Sequence, residues 1–185
     1  MKFFDFNIHL TSFDEFNNNS NFSNHFDDET TMTGKEFESS YIAYESSLKD
    51  NCIGGNIMIL NHSLTISEIE SLHNMTKSSW SKSCLTMLID PRDLNWKKRI
   101  SDFHEIGVKA IKFHSYIQKL DDKIISKCVE IAIQAEALGM IITIDTGYGT
   151  LDMYQFDNLL LAKAIAQKVT KTPIILLHSG GARCL

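Results

Sequence analysis

Four short apolar-rich runs in this chain end in a residue able to carry a proton or hold an ion. Ile174-Ile175-Leu176-Leu177 leads into His178, with Ser179, Gly180 and Gly181 behind it. Phe3-Phe4-Asp5-Phe6-Asn7-Ile8 ends in His9, and Ala110-Ile111-Lys112-Phe113 ends in His114. Ile141-Ile142-Thr143-Ile144 ends in Asp145, followed by Thr146 and Gly147. A histidine at such a position can polarise a carbonyl or shuttle a proton, because its unperturbed pKa lies near neutrality. Alternation along a strand puts Asn7 and His9 on one face, where an amide oxygen and an imidazole can converge on an ion. The amide oxygen suits a harder cation better than zinc. Lys112 and His114 share a side for the same reason. A buried lysine with a lowered pKa opens carbamate or Schiff-base chemistry.

Each position also has a plainer reading. His9 fits a hydrogen-bonded residue at a strand end, and Asp145 a turn or N-cap aspartate ahead of Gly147 and Gly149. Lys112 fits a lysine paired with a neighbouring acid. His114 fits either a rim contact to substrate or an exposed loop residue. For His178 the plain reading is a core histidine bonded to a backbone carbonyl, and the two glycines after it favour a functional role. His25, His62, His73 and His104 fall in predicted loops or helices and read as surface residues.

These residues need strands to hold them, and the strands are legible. Apolar runs of four to eight residues bounded by turn residues predict strands over 2–10, 54–60, 84–89, 108–113, 140–144 and from Ile174 onward. Helical spacing fills the gaps. Phe37, Tyr41, Tyr44 and Leu48 follow a capping box at Thr33 and Glu36, and Ile66, Ile69 and Leu72 follow another at Thr65 and Glu68. Trp96, Ile100, Phe103 and Ile106 make a third face that Gly107 stops, and Ile124, Cys128, Ala132, Ala135 and Leu138 make a fourth that Gly139 stops. A last helix is expected over about 154–169. The polar stretch 11–32 contains Phe13, Phe16, Phe22 and Phe26, which a purely disordered linker would lack, so it reads as a lid or a mobile loop. Strand and helix alternate at a pitch of about thirty residues, which is the βαβ pitch of a parallel sheet. Polar strand ends on such a sheet share one rim, where barrel enzymes keep their chemistry.

Composition narrows the function. The chain has 185 residues, a formal charge of -5 and a pI near 5.8. An acidic balance without a basic cluster argues against a nucleic-acid partner. No apolar run approaches membrane-spanning length, and Asp5 interrupts the apolar start that a signal peptide needs. Cys52, Cys84, Cys128 and Cys184 are scattered, which suits reduced thiols in a cytoplasmic protein.

Taken in order, these motifs resemble the metal-dependent hydrolases of the amidohydrolase superfamily. The branch most similar is the amidohydrolase-related one, which includes decarboxylases of the aminocarboxymuconate-semialdehyde type. Asp5-Phe6-Asn7-Ile8-His9 resembles the first-strand Asp-x-His-x-His. Ile89-Asp90-Pro91-Arg92 resembles the third-strand end, and Gly107 to His114 the Gly-x-Lys-x-His fourth strand. Ile144-Asp145-Thr146-Gly147 stands where the family writes His-Thr-Gly, and Leu177-His178-Ser179-Gly180-Gly181 resembles the sixth-strand His-x-Gly-Gly. Asn7 and Asp145 replace metal histidines, and the eighth-strand aspartate has no counterpart before Leu185.

The resemblance implies an α/β chain of the (β/α)8 TIM-barrel type, a single domain over 1–185 with about six of eight units and a truncated end. It implies a metal-dependent hydrolase acting on a small-molecule C–N or ester bond, or a decarboxylase on the same scaffold. His178 would be catalytic. His9, Asn7 and Asp145 would hold a divalent ion, zinc by the resemblance, and His114 and Lys112 would contact substrate. The expected partner is a small molecule, with neither nucleic acid nor membrane, and a homo-oligomer is left open. The replacements at Asn7 and Asp145 keep a second reading alive: a metal-free relative that binds a small metabolite without hydrolysing it.

Overall fold

The computed structural model describes residues 2–10, 30–48, 51–147 and 158–178. The aromatic stretch 11–29 with His25, the turn at Tyr148 and Gly149, the expected helix start at 154–157, and Gly180, Gly181 and Cys184 lie outside the described residues. Two compact units divide the chain, Met1–Met87 with Ile106–Val108, and Leu88–Glu105 with Lys109–Leu185. Strands alternate with helices in both, and every strand pair described below is parallel. The order is α/β.

In the first unit, β1 (Phe3–His9) pairs with β2 (Cys52–Ile59), which pairs with β3 (Cys84–Leu88). The β1–β2 register slips between Asp5 and Ile8, so Phe6 and Asn7 sit in a bulge. Gly55 lies opposite Asp5, and a Cβ there would stand 3.0 Å from the Asp5 carbonyl oxygen and press on the tip of the Ile8 side chain, so the two strands fit most closely with glycine. β2 is buried almost end to end, as an apolar run between two parallel neighbours should be. Two helices pack against each other in this unit, α1 (Gly34–Leu48) with Phe37 and Tyr41 buried and α2 (Ile66–Ser79) with Ile69 and Leu72 buried. Both predicted capping boxes form. Glu68 N donates to Thr65 Oγ1 while Thr65 N donates to Glu68 Oε2, and Thr33 and Glu36 repeat the exchange. Among the described residues β1 pairs with β2 alone, and Phe3, Phe4 and Phe6 are about two-fifths exposed.

In the second unit, β4 (Ala110–His114) pairs with β5 (Ile141–Asp145), which pairs with β6 (Ile174–Leu177). The helices are α3 (Trp96–Glu105), a single turn α4 (Ser115–Gln118), α5 (Ile125–Ala137) and α6 (Asn158–Ala166). α5 presents Cys128, Ile131, Ala132 and Ala135 to the core, the stripe its periodicity predicts. Gly139, at φ 69°, closes it in the left-handed conformation expected of a C′ glycine. Glu136 reaches past that end and accepts from the backbone N–H groups of Thr170 and Lys171, which fixes the turn into β6.

Two expectations need correction. An unbroken apolar run such as Ile174–Leu177 predicts a strand buried on both faces, yet Leu176 is 45% exposed and Ile174 and Ile175 are half-buried. Among the described residues β6 pairs with β5 alone, so it has one strand fewer beside it to shield its side chains than a central strand has. The fourth strand runs through His114 rather than ending at Phe113, because Gln118 folds back and its Oε1 accepts from His114 N at 2.8 Å.

Candidate active site

The parallel register of the second unit assembles the site. His114 lies opposite Asp145 and Lys112 opposite Thr143 across β4–β5, while Asp145 lies opposite Leu177 across β5–β6. Residues in register on neighbouring strands share a face. One face of β4–β5 is therefore Ile111, Phe113, Ile142 and Ile144, all fully buried. The other is Lys112, His114, Thr143 and Asp145, and it is buried as well. A sheet buried on both faces, with one of them polar, is built around those polar groups.

Asp145 is their centre. Its Oδ2 lies 3.6 Å from Lys112 Nζ, 3.5 Å from His114 Nε2 and 3.4 Å from His178 Nε2. Its Oδ1 accepts from Gly147 N at 3.0 Å, the aspartate turn expected ahead of that glycine. A Cβ at Gly147 would stand 3.0 Å from His178 Cδ2 and 3.1 Å from Asp145 Oδ1, so the turn packs directly against the ion pair.

Each partner is held by its own device. Lys112 is completely buried in mid-strand. His114 caps α4, its Nδ1 accepting from Ile117 N at 3.4 Å. Gln118 of that turn donates to the Ile89 carbonyl at 2.7 Å, and Arg92 donates to the carbonyls of Gln118 and Lys119. His178 has φ 61°, a left-handed conformation that costs a non-glycine residue about 1 kcal/mol. Thr146 enforces it by donating both its N–H and its hydroxyl to the carbonyl of Leu177, the residue before. The bend carries the imidazole over Asp145 and leaves its side chain 51% exposed, while Asp145 itself is 8% exposed. His178 is the member of the cluster that meets solvent.

Burial alone would raise the pKa of Asp145. The hydrogen bond from His178, the electrostatic effect of nearby His114 and Lys112 and the Gly147 N–H outweigh it, and the carboxyl sits well below the usual carboxylate range. The reciprocal effect raises the pKa of His178. Its hydrogen bond to Asp145 outweighs the burial that opposes it.

No protein-family model matches the chain, and no curated protein matches it. Among solved structures it is similar to a probable 2-pyrone-4,6-dicarboxylic acid hydrolase from Acinetobacter baumannii with citric acid bound. The identity is 11% and the TM-score 0.45, over 100% of this chain and 74% of that one. The likeness assigns no residue a role.

The divalent ion implied by the sequence resemblance can be tested against these donors. Both oxygens of Asp145 are engaged, one by an N–H and the other by an ammonium and two imidazoles. Since His114 Nδ1 is an acceptor, a neutral His114 carries its proton on Nε2, the nitrogen that faces Asp145, and has no lone pair there. The second-unit donors do not fit a metal ion. Asn7 and His9 belong to the first unit. Among the described residues Asn7 Oδ1 is buried without a hydrogen bond, but one amide oxygen is a single ligand of the four or more that a divalent ion takes. Among the described residues no group of three or more His, Cys, Asp or Glu is arranged to hold a metal.

Asn7 sits in the β1 bulge, its N–H bonded to Asp5 Oδ1, and the other oxygen of Asp5 accepts from the Tyr44 hydroxyl. His62 and His104 are exposed, as expected, while His73 is half-buried against Gly107. Sequence reasoning passed over two residues that shape the site, Thr146 and Gln118. Thr146 was visible inside the Asp145-Thr146-Gly147 turn. Gln118 carried no local signal, since its partners lie at His114 and at Ile89.

Proposed function

We propose that the second unit carries an acid–base site that hydrolyses a C–O or C–N bond in a small molecule bearing a carboxylate. One observation carries the reading, the convergence of Lys112, His114 and His178 on a single oxygen of Asp145 at the carboxyl ends of three parallel strands. Lys112 and a protonated His178 against one carboxylate give the cluster a positive balance, which favours an anionic ligand. His178 is the exposed member and is the general acid. As water adds to the carbonyl carbon, His178 passes its proton to the departing oxygen or nitrogen. The scissile bond breaks, and the proton released by the attacking water restores the imidazolium. Asp145 orients His178 and keeps it protonated. Loss of carbon dioxide from the same ligand would use the same acid to protonate the carbanion that remains.

A second reading, a protein that binds the carboxylate without cleaving anything, draws on one feature. A carboxyl with so low a pKa is a weak base, so Asp145 is poorly suited to activate water. The test is a panel of carboxylate-bearing esters, lactones and amides, with product formation and binding followed together. Turnover that falls by about 100-fold or more in His178→Gln, with binding retained, supports the hydrolase. Binding without turnover in the native chain supports the second reading, and turnover indifferent to His178→Gln removes both roles given to that residue.

A further inference from the structure

We infer that Lys112 supplies the positive charge that a divalent ion would bring to Asp145, so the second-unit site works without a metal. The inference deepens the acid–base reading and rests on it for the use of the site, but its geometry stands independently. Lys112 is fully buried in the middle of β4, with its ammonium 3.6 Å from Asp145 Oδ2. A divalent ion on that oxygen would share it with the ammonium, and two like charges that close in a buried site repel strongly. The remaining approaches to the oxygen are filled by His114 Nε2 and His178 Nε2. Oδ1 is turned toward Gly147 N. Lys112 is thus a positioning residue. It fixes the carboxylate that in turn orients His178, and a fixed ammonium does this without the open coordination site that a catalytic metal would need.

The experiment uses the whole 185-residue chain and reads metal content, not activity. The native chain, Asp145→Asn and Lys112→Met are each dialysed against Zn2+ and, separately, Mn2+, and bound metal is measured by elemental analysis. The native chain should hold no metal that Asp145→Asn loses. Lys112→Met frees the carboxylate and should tighten Zn2+ binding by about tenfold or more. One equivalent of either metal on the native chain, lost in Asp145→Asn, overturns the inference. So does a folded Lys112→Met chain with unchanged Zn2+ affinity. If neither variant folds, the native chain decides alone, because one equivalent of either metal on it that competes with His178 for Asp145, read as a shift of the His178 ring resonances, overturns the inference. Failure of the hydrolase reading would appear as absent turnover in the substrate panel and would leave these metal measurements unmoved.

Discussion

Asp145→Asn is the substitution that the second unit should tolerate least. Asparagine keeps the shape and an Oδ1 that still accepts from Gly147 N, but it removes the charge that Lys112, His114 and His178 face. At the observed 3.6 Å, a unit pair in an effective dielectric of about 20 interacts by about 5 kcal/mol. Removing one partner takes the carboxylate away from a fully buried ammonium, and such losses run at about 3–5 kcal/mol. Lys112→Met alone should cost a similar amount. The double variant should cost less than the sum by about 2–3 kcal/mol, because neither charge is then stranded. Urea denaturation measures all four corners of the cycle. Trp96 lies in the same unit, so its fluorescence in a Trp80→Phe background reports the relevant unfolding. Lys98→Ala is the control, because its ion pair with Asp102 is on the surface with the lysine 77% exposed, and it should cost about 0.5 kcal/mol or less. An Asp145→Asn cost below about 1 kcal/mol, or an additive double variant, would refute the buried pair.

Two further outcomes follow from the same geometry. His178 has a raised pKa, so the stability it contributes is complete below its unfolded value of about 6.5 and is lost as pH rises through the folded value. Asp145 has a lowered one, so its contribution is present above about 3.9 and is lost as pH falls through the folded value. With His178 as the acid, the alkaline fall of kcat/KM should lie above about 6.5 and move to lower pH in Asp145→Asn, and a limb that stays put contradicts the pairing. Gly147→Ala forces a methyl to within 3.0 Å of His178 Cδ2. It should cost kcat/KM about ten- to a hundredfold while the urea midpoint hardly moves.

Local chemistry made most of the fold readable. Thr65 and Glu68 cap α2 as their spacing predicts, Gly139 ends α5, and the β5 run Ile141–Asp145 matches its apolar pattern to within a residue. Asp145 was also readable as a turn residue, because an aspartate two places before a glycine bonds that N–H locally. What the sequence could not show is which acid faces Lys112. The partner is 33 residues away, and the choice is made by the register of β4 on β5, a tertiary fact. His114 was open between a rim contact and a loop residue, and the structure buries it, since the α4 turn that encloses it is too short to leave a periodic signal. The left-handed backbone at His178 was equally invisible, because it is imposed from Thr146, just past the end of the neighbouring strand.

The polar face of β4–β5 is hard to explain as architecture. Thr143 Oγ1 and Ser115 Oγ are buried without a hydrogen bond among the described residues, and each such hydroxyl costs about 1–3 kcal/mol. A buried ion pair is no better for stability than well-packed apolar side chains of the same volume. The opposite face shows what these strands carry when stability alone decides, namely Ile111, Phe113, Ile142 and Ile144. Lys112, Thr143 and Asp145 stand at neighbouring positions on the same two strands, so propensity cannot account for the difference. Nor can solubility, since the groups are buried. The strained backbone at His178 points the same way, because it holds a half-exposed imidazole against a buried carboxylate where a relaxed turn would release it. Three costs therefore fall on this part of the second unit, and the site proposed above would account for all three.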